Sequence, residues 1–241
     1  MRRSISILAA ALFPLFMVVP AYPQASGATG GQSPDPLTAQ YNKAMLAKDW
    51  AGAIAAAQQL VAQKATSLNL KYLGNAQLYS GSADAALATF GQALATAQME
   101  KPAEGPAMAG WKDGLSQIYI GKGNALLRLK RNDEAIGAYN QSAVFAANQG
   151  LAYFNVCAVL FNIGNSQDSA PACRKSLQAD PSRANAWFVL ASDLFVDAKV
   201  DAQGKFVISA ECRQALEKYL ELAPDGPHAA DVKAMLDMIA K

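Results

Sequence analysis

Few residues of this chain are equipped for covalent or proton-transfer chemistry. It holds one histidine, His228, and three cysteines, Cys157, Cys173 and Cys212. A histidine is the usual general base near neutral pH. Here it follows Pro227 at the start of an apolar-periodic segment and reads as a surface residue. No run of His, Cys, Asp and Glu has the spacing that gathers ligands on one metal ion. Gly121-x-Gly123 resembles a fragment of a phosphate-binding loop, but it follows no strand and lies inside a helical pattern. Those glycines read as helix-packing positions. The carboxylates are scattered. A catalytic thiol needs a basic neighbour to lower its pKa, whereas the three cysteines stand among apolar residues. The expectation is a chain with no catalytic residues, no metal and no cofactor.

The elements around those residues are helical. Hydrophobic residues make up 52% of the 241 residues and charged ones 17%, enough apolar material for a substantial core. Alanine is abundant and β-branched residues are sparse, which favours helix. The first residues are a separate matter. Arg2 and Arg3 precede an apolar run, Ile5 to Val19, broken by Ser6 and Pro14 and followed by small residues up to Ala25. That layout is a secretory signal peptide over residues 1–21, with cleavage after Ala21 or after Ala25. The run is shorter than the roughly 20 apolar residues a membrane span needs, and it contains a proline. Residues 22–36 are rich in Pro, Gly, Ser and Gln and read as a flexible leader. The chain has 21 Lys and Arg against 19 Asp and Glu; losing Arg2 and Arg3 leaves 19 against 19. A formally neutral chain has no electrostatic footprint for nucleic acid or an anionic membrane.

From residue 37 onward the apolar pattern repeats. Tyr119, Tyr153 and Trp187 are 34 residues apart, as are Gly123, Cys157 and Ala191, and Leu126, Leu160 and Leu194. Leu70, Leu73, Gly74 and Gln77 hold the corresponding places one block earlier. Each unit continues with a second helix carrying a small residue and then an aromatic four places on: Ala86 and Phe90, Ala135 and Tyr139. Pro181 and Pro224 end units. The pattern resembles the tetratricopeptide repeat (TPR), whose period is 34 with W-x2-L-G-x2-Y, A-x3-F and P positions. The resemblance covers residues 37–224 in about five units and implies an all-α solenoid of antiparallel helix pairs. Small residues at the helix crossings let the two helices of a pair approach, and neighbouring pairs bury what one pair cannot.

Several units depart from the pattern. The first has Ala53 but lacks the glycine and the aromatics, and reads as either a repeat or a capping pair. Extra residues near 101–115, rich in Pro and Gly, and near 197–208 read as loop insertions. The fourth unit has Ser169 and Cys173 where others have alanine and an aromatic. Residues 225–241 read as a capping helix with Val232, Met235, Leu236 and Ile239 on one side. The cysteines are either three small buried hydrophobes or the source of one bridge. If a bridge forms, it joins Cys157 to Cys173, since both fall inside one helix pair.

In the family the first helices line a concave binding groove. The groove positions map here to Lys71, Asn75 and Tyr79 in unit two and to Asn124, Leu127 and Arg128 in unit three. In units four and five they are Phe154 and Phe161, then Phe188 and Phe195. Lys71 and Asn75 match half of the clamp with which some members hold a peptide carboxylate; the other half is missing, so the clamp is not carried over. The phenylalanines suggest an apolar groove, unless the 197–208 insertion covers them as core. The expected function is a non-catalytic scaffold, exported to the periplasm or secreted, that binds a peptide or protein. A structural assembly factor acting by self-association is the alternative. A carrier of apolar small molecules ranks third.

Overall fold

The computed structural model describes residues 35–239, and every structural statement below concerns those residues. The expected signal peptide and almost all of the expected leader therefore lie outside the described residues, as do residues 240–241.

Five antiparallel helix pairs follow one another: α1 (Pro36–Leu46) with α2 (Trp50–Gln63), α3 (Ser67–Tyr79) with α4 (Ala83–Met99), α5 (Ala107–Arg128) with α6 (Asn132–Phe145), α7 (Gln149–Asn162) with α8 (Ser166–Ala179), and α9 (Ala184–Phe195) with α10 (Ala210–Leu222). A last helix, α11 (Ala229–Met238), packs on α10. Each second helix also packs on the first helix of the next pair. The first helices α3 and α5 touch directly, as do α7 and α9, so first helices of these neighbouring pairs lie side by side in a layer against which the second helices pack.

Local sequence sets the ends of these helices. Asp49, Thr66, Asn148, Asn165 and Ser209 each accept a hydrogen bond from a backbone N–H in the first turn of their helix. The turns inside pairs one to four share one device. Lys48, Gly81, Lys130 and Gly164 stand at positive φ, and the next residue's N–H bonds back across the turn, from Asp49, Ser82, Arg131 and Asn165 to the carbonyls of Ala44, Gln77, Leu126 and Leu160.

One pair of positions governs each crossing. In pair two a Cβ on Gly74 would stand 2.7 Å from the Phe90 ring, and in pair three a Cβ on Gly123 would stand 2.9 Å from Tyr139. The corresponding residues are Cys157 and Cys173 in pair four, joined as a disulfide with Cα atoms 5.0 Å apart. In pair five they are Ala191 and Leu216, both fully buried. Pair one inverts the arrangement. The ring is Tyr41, on the first helix, and the small residue is Ala57, on the second; both lie in the same buried cluster. The first unit therefore does carry its aromatic, on the opposite helix from the one the repeat pattern prescribes. Volume at the crossing is what packing requires, and either helix can supply it.

The two insertions fold differently from loops. Of residues 101–115, only 101–106 are non-helical; the rest begins α5, which at 22 residues is the longest helix described. Gly110 and Gly114 sit where an added Cβ would meet nothing within 4 Å, so they cost helix propensity and no packing. Trp111 anchors the extension, donating from Nε1 to the Ala97 carbonyl at 2.7 Å and meeting Phe145 edge-on. The second insertion forms a hairpin, β1 (Lys199–Val200) antiparallel to β2 (Phe206–Val207). Phe206 also bridges in parallel to Ile239, and Lys205 Nζ donates to the Asp237 carbonyl. The hairpin thus binds the end of α11 to the fifth pair.

Candidate functional site

The layer of first helices carries the residues singled out as groove positions, and its chemistry changes along the chain. At pairs two and three it is polar. Lys71, on α3, is 7% exposed and donates from Nζ to Gln117 Oε1 on α5 at 2.6 Å; Gln117 Nε2 in turn donates to Asp113 Oδ2 at 2.7 Å. Burial lowers the Lys71 pKa to about 8, with Asp113 pulling the other way. The ammonium also lies 5.5 Å from the Tyr72 ring centroid. Asn75, one turn along α3 from Lys71, is half-buried. Asn124 accepts from the Tyr139 hydroxyl at 2.5 Å, so one groove position is tied to the helix crossing beneath it. Arg128 Nη1 donates to the Leu78 carbonyl, joining the third pair to the second, and Leu127 is half-buried next to it. Tyr79 stacks on Trp50 of α2, with centroids 5.6 Å apart and planes 19° from parallel.

At pairs four and five the layer is aromatic. Phe154 and Phe161 on α7 are half-buried, and the Arg183 guanidinium lies 5.8 Å from the Phe154 ring. Phe195 is half-buried, with Phe206 of the hairpin 5.2 Å away. Phe188 is different. It is 6% exposed, packed between Tyr219 at 5.7 Å and His228, whose ring is stacked at 3.9 Å and 4° from parallel. Phe188 is therefore core and not groove lining, and its cover is α10 and α11 rather than the insertion. His228 is correspondingly no simple surface residue. Its ring is a half-buried plate over Phe188, its backbone N–H donates to Tyr219 Oη, and burial holds its pKa below the usual value, opposed by Asp231.

Among the described residues no group of three or more His, Cys, Asp and Glu is placed to hold a metal ion. No described helix is long and apolar enough to cross a membrane.

Paired helices, turns and crossings of this kind recur in known structures. No protein-family model matches the chain, and no curated protein does. Solved structures match over most of its length. A crystal structure of MamA aligns with a TM-score of 0.53 at 16% identity, over 76% of this chain and 94% of that one. YrrB, described as a TPR protein with an unusual peptide-binding site, aligns with a TM-score of 0.54 at 15% identity, over 80% and 88%. The TPR-like repeats of a Podospora anserina kinesin light chain align with a TM-score of 0.56 at 14% identity, over 82% and 100%. The chain has the tetratricopeptide-repeat fold. At these identities the likeness concerns the fold alone.

Within that fold the repeat positions place Lys71, Asn75 and Tyr79 on α3 and Asn124, Leu127 and Arg128 on α5. Contacts join the two helices. Asp113 falls inside the 101–115 stretch expected as a loop and Gln117 just beyond it; both belong to the polar relay, and the helical spacing of Asp113, Gln117 and Asn124 is the signal for them. Trp50 is the other missed member. It opens α2 and reaches the first-helix layer through Tyr79.

Proposed function

We propose that this chain is a non-catalytic binding scaffold, exported from the cytoplasm, whose first-helix layer holds an extended peptide or protein segment. The observation that carries the reading is the division of that layer. Hydrogen-bonding side chains, Asn75, Asn124 and Arg128, occupy pairs two and three, and half-buried rings, Phe154, Phe161 and Phe195, occupy pairs four and five. Amide and guanidinium groups suit the exposed peptide backbone of an extended segment, and rings suit its apolar side chains. The reported peptide-binding site of YrrB supports the analogy. The sequence layout of residues 1–25 supports export, with the periplasm as the expected compartment and secretion as the alternative.

Site-specific photocrosslinking in the native host tests the binding reading. A photoreactive residue at Asn124 or Phe161 should trap a partner, whereas one at Gly91 or Gly137, on the second-helix layer, should not. Equal trapping from both layers would refute the assignment of the face. Adducts between two copies of this chain would favour the structural alternative, assembly by self-association. Fractionation with N-terminal sequencing tests export, and an intact Met1 on envelope protein would count against it.

A further inference from the structure

Helix α9 carries a single charged residue, Asp193, and that residue is buried, 5% exposed. It lies where α9 packs between α7, α8 and α10. Its Oδ2 has no hydrogen-bond partner. Burying an ionised carboxylate without full hydrogen bonding is costly, and the cost falls when the group takes up a proton. We propose that Asp193 is a proton-operated latch: neutral, it seats α9 firmly between the fourth and fifth helix pairs; ionised, it loosens that seam.

The surroundings define the two states. From α8 come Arg174 and the fully buried Ser169. Arg174 is engaged elsewhere: its Nε and Nη2 fork onto the Glu211 carboxylate of α10 at 2.7 and 2.9 Å. Its charge therefore reaches Asp193 only at a distance, and its own acid partner stands on the other side. On α10, Glu211 and Arg213 flank the buried Cys212 thiol, and Glu211 holds the Arg174 guanidinium. From α7 no charged side chain comes at all; its contribution is Cys157, closed in the disulfide. The site thus holds one buried acid whose cation is shared with a second acid. Burial raises the Asp193 pKa to about 6, while Ser169 and Arg174 oppose that rise. A raised folded-state pKa means that the folded chain binds the proton more tightly than the unfolded chain. Stability from this group is full below its unfolded value of 3.8 and is lost as pH rises through about 6. The same helix bears Phe195, so the latch couples ambient pH to the aromatic end of the binding layer.

The test compares the mature chain with Asp193→Asn by chemical denaturation and amide hydrogen exchange at pH 5.0 and 7.5. The wild-type folding equilibrium should strengthen on acidification by about tenfold relative to the variant, the factor set by a pKa near 6 over that interval. The excess protection should concentrate in α9 and α10. Taking the difference from Asp193→Asn removes other titrations, including that of His228, whose lowered pKa acts with the opposite sign. Arg174→Gln removes the cation that opposes the rise and should move the wild-type transition to higher pH. If Asp193→Asn fails to fold, this variant still decides the matter. Parallel pH profiles for wild type and Asp193→Asn, or an Arg174→Gln profile identical to wild type, would overturn the proposal.

Discussion

Cys157 and Cys173 are bonded in the fourth helix pair at the two places where the third pair sets Gly123 against the ring of Tyr139. A covalent bridge here replaces an aromatic contact. Both solve the same problem of holding two helices close, and the bridge does so with small side chains on both sides.

The first prediction follows from that equivalence. The bridge closes a loop of 16 residues, for which loss of the link costs about 3 kcal/mol. Cys157→Ala with Cys173→Ala should lose about that much and leave the crossing underfilled. Cys157→Gly with Cys173→Phe, which copies Gly74 and Phe90, should recover part of the loss. Denaturation midpoints of the two double variants test this. Thiol titration of the unfolded chain is an independent check, expected to give one reactive thiol, Cys212, before reduction and three after.

A second prediction separates glycines that pack from glycines that do not. Phe90 is wedged between Gly74 of its own pair and Gly121 of the next, and Tyr139 lies against Gly123. Gly123→Leu should destabilise by overpacking, at about 1–3 kcal/mol or more. At Gly137, on the exposed face of α6, an added Cβ meets nothing within 4 Å. Gly137→Ala should stabilise by about 0.5–1 kcal/mol through helix propensity. Thermal melts of both would show opposite shifts.

The repeat was legible because its glycines, small residues and rings recur at fixed spacing, as Gly123, Cys157 and Ala191 do. The helix count and the pairing followed from that spacing. What escaped the sequence were compensations, in which one physical requirement is met by an unexpected residue. Tyr41 fills the first crossing from the wrong helix. Gly110 and Gly114 suggested a loop, yet they face open space, where glycine costs a helix little. The candidate face was legible as positions but not as exposures: Phe154 and Phe188 hold equivalent places 34 residues apart, and only the packing of His228 and Tyr219 makes Phe188 core.

The third prediction concerns Lys71. Its pKa, lowered to about 8 by burial, means the folded chain holds this proton less tightly than the unfolded chain, where the value is 10.5. Stability from this group is therefore lowest below pH 8 and is recovered as pH rises from about 8 toward 10.5. Lys71→Met, which keeps the stem and removes the charge, should be more stable than wild type at pH 7, with the gap narrowing by pH 9.5. Urea denaturation at both values measures it. A constant gap would mean that the Gln117 and Asp113 relay fully offsets the burial of the ammonium.

The fourth prediction concerns the intra-pair turns. Lys130 stands at φ 59°, where its counterparts Gly81 and Gly164 are glycines. A non-glycine residue in this region costs about 1–2 kcal/mol, and glycine's extra unfolded-state entropy takes back about 0.5–1 kcal/mol. Lys130→Gly should therefore stabilise by about 0.5 kcal/mol, read from the denaturation midpoint. Gly81→Ala should destabilise.

The last prediction divides the phenylalanines. Phe188 is 6% exposed, between Tyr219 and the His228 plate, so Phe188→Ser removes a buried ring and leaves a hydroxyl in an apolar site. Truncations of this kind cost about 3–5 kcal/mol. Phe161 is half-buried on the first-helix layer. Phe161→Ser should cost about 1 kcal/mol, roughly half the transfer value of a fully buried phenylalanine. The first variant should melt well below wild type and lose partner capture because it unfolds. The second should melt near wild type and lose capture while folded. Melting curves beside crosslinking yields from Asn124 distinguish the two causes. If Phe161→Ser is as unstable as Phe188→Ser, the ring belongs to the core, and the binding face ends at the third pair. If it is stable and capture is unchanged, the partner does not reach the fourth pair.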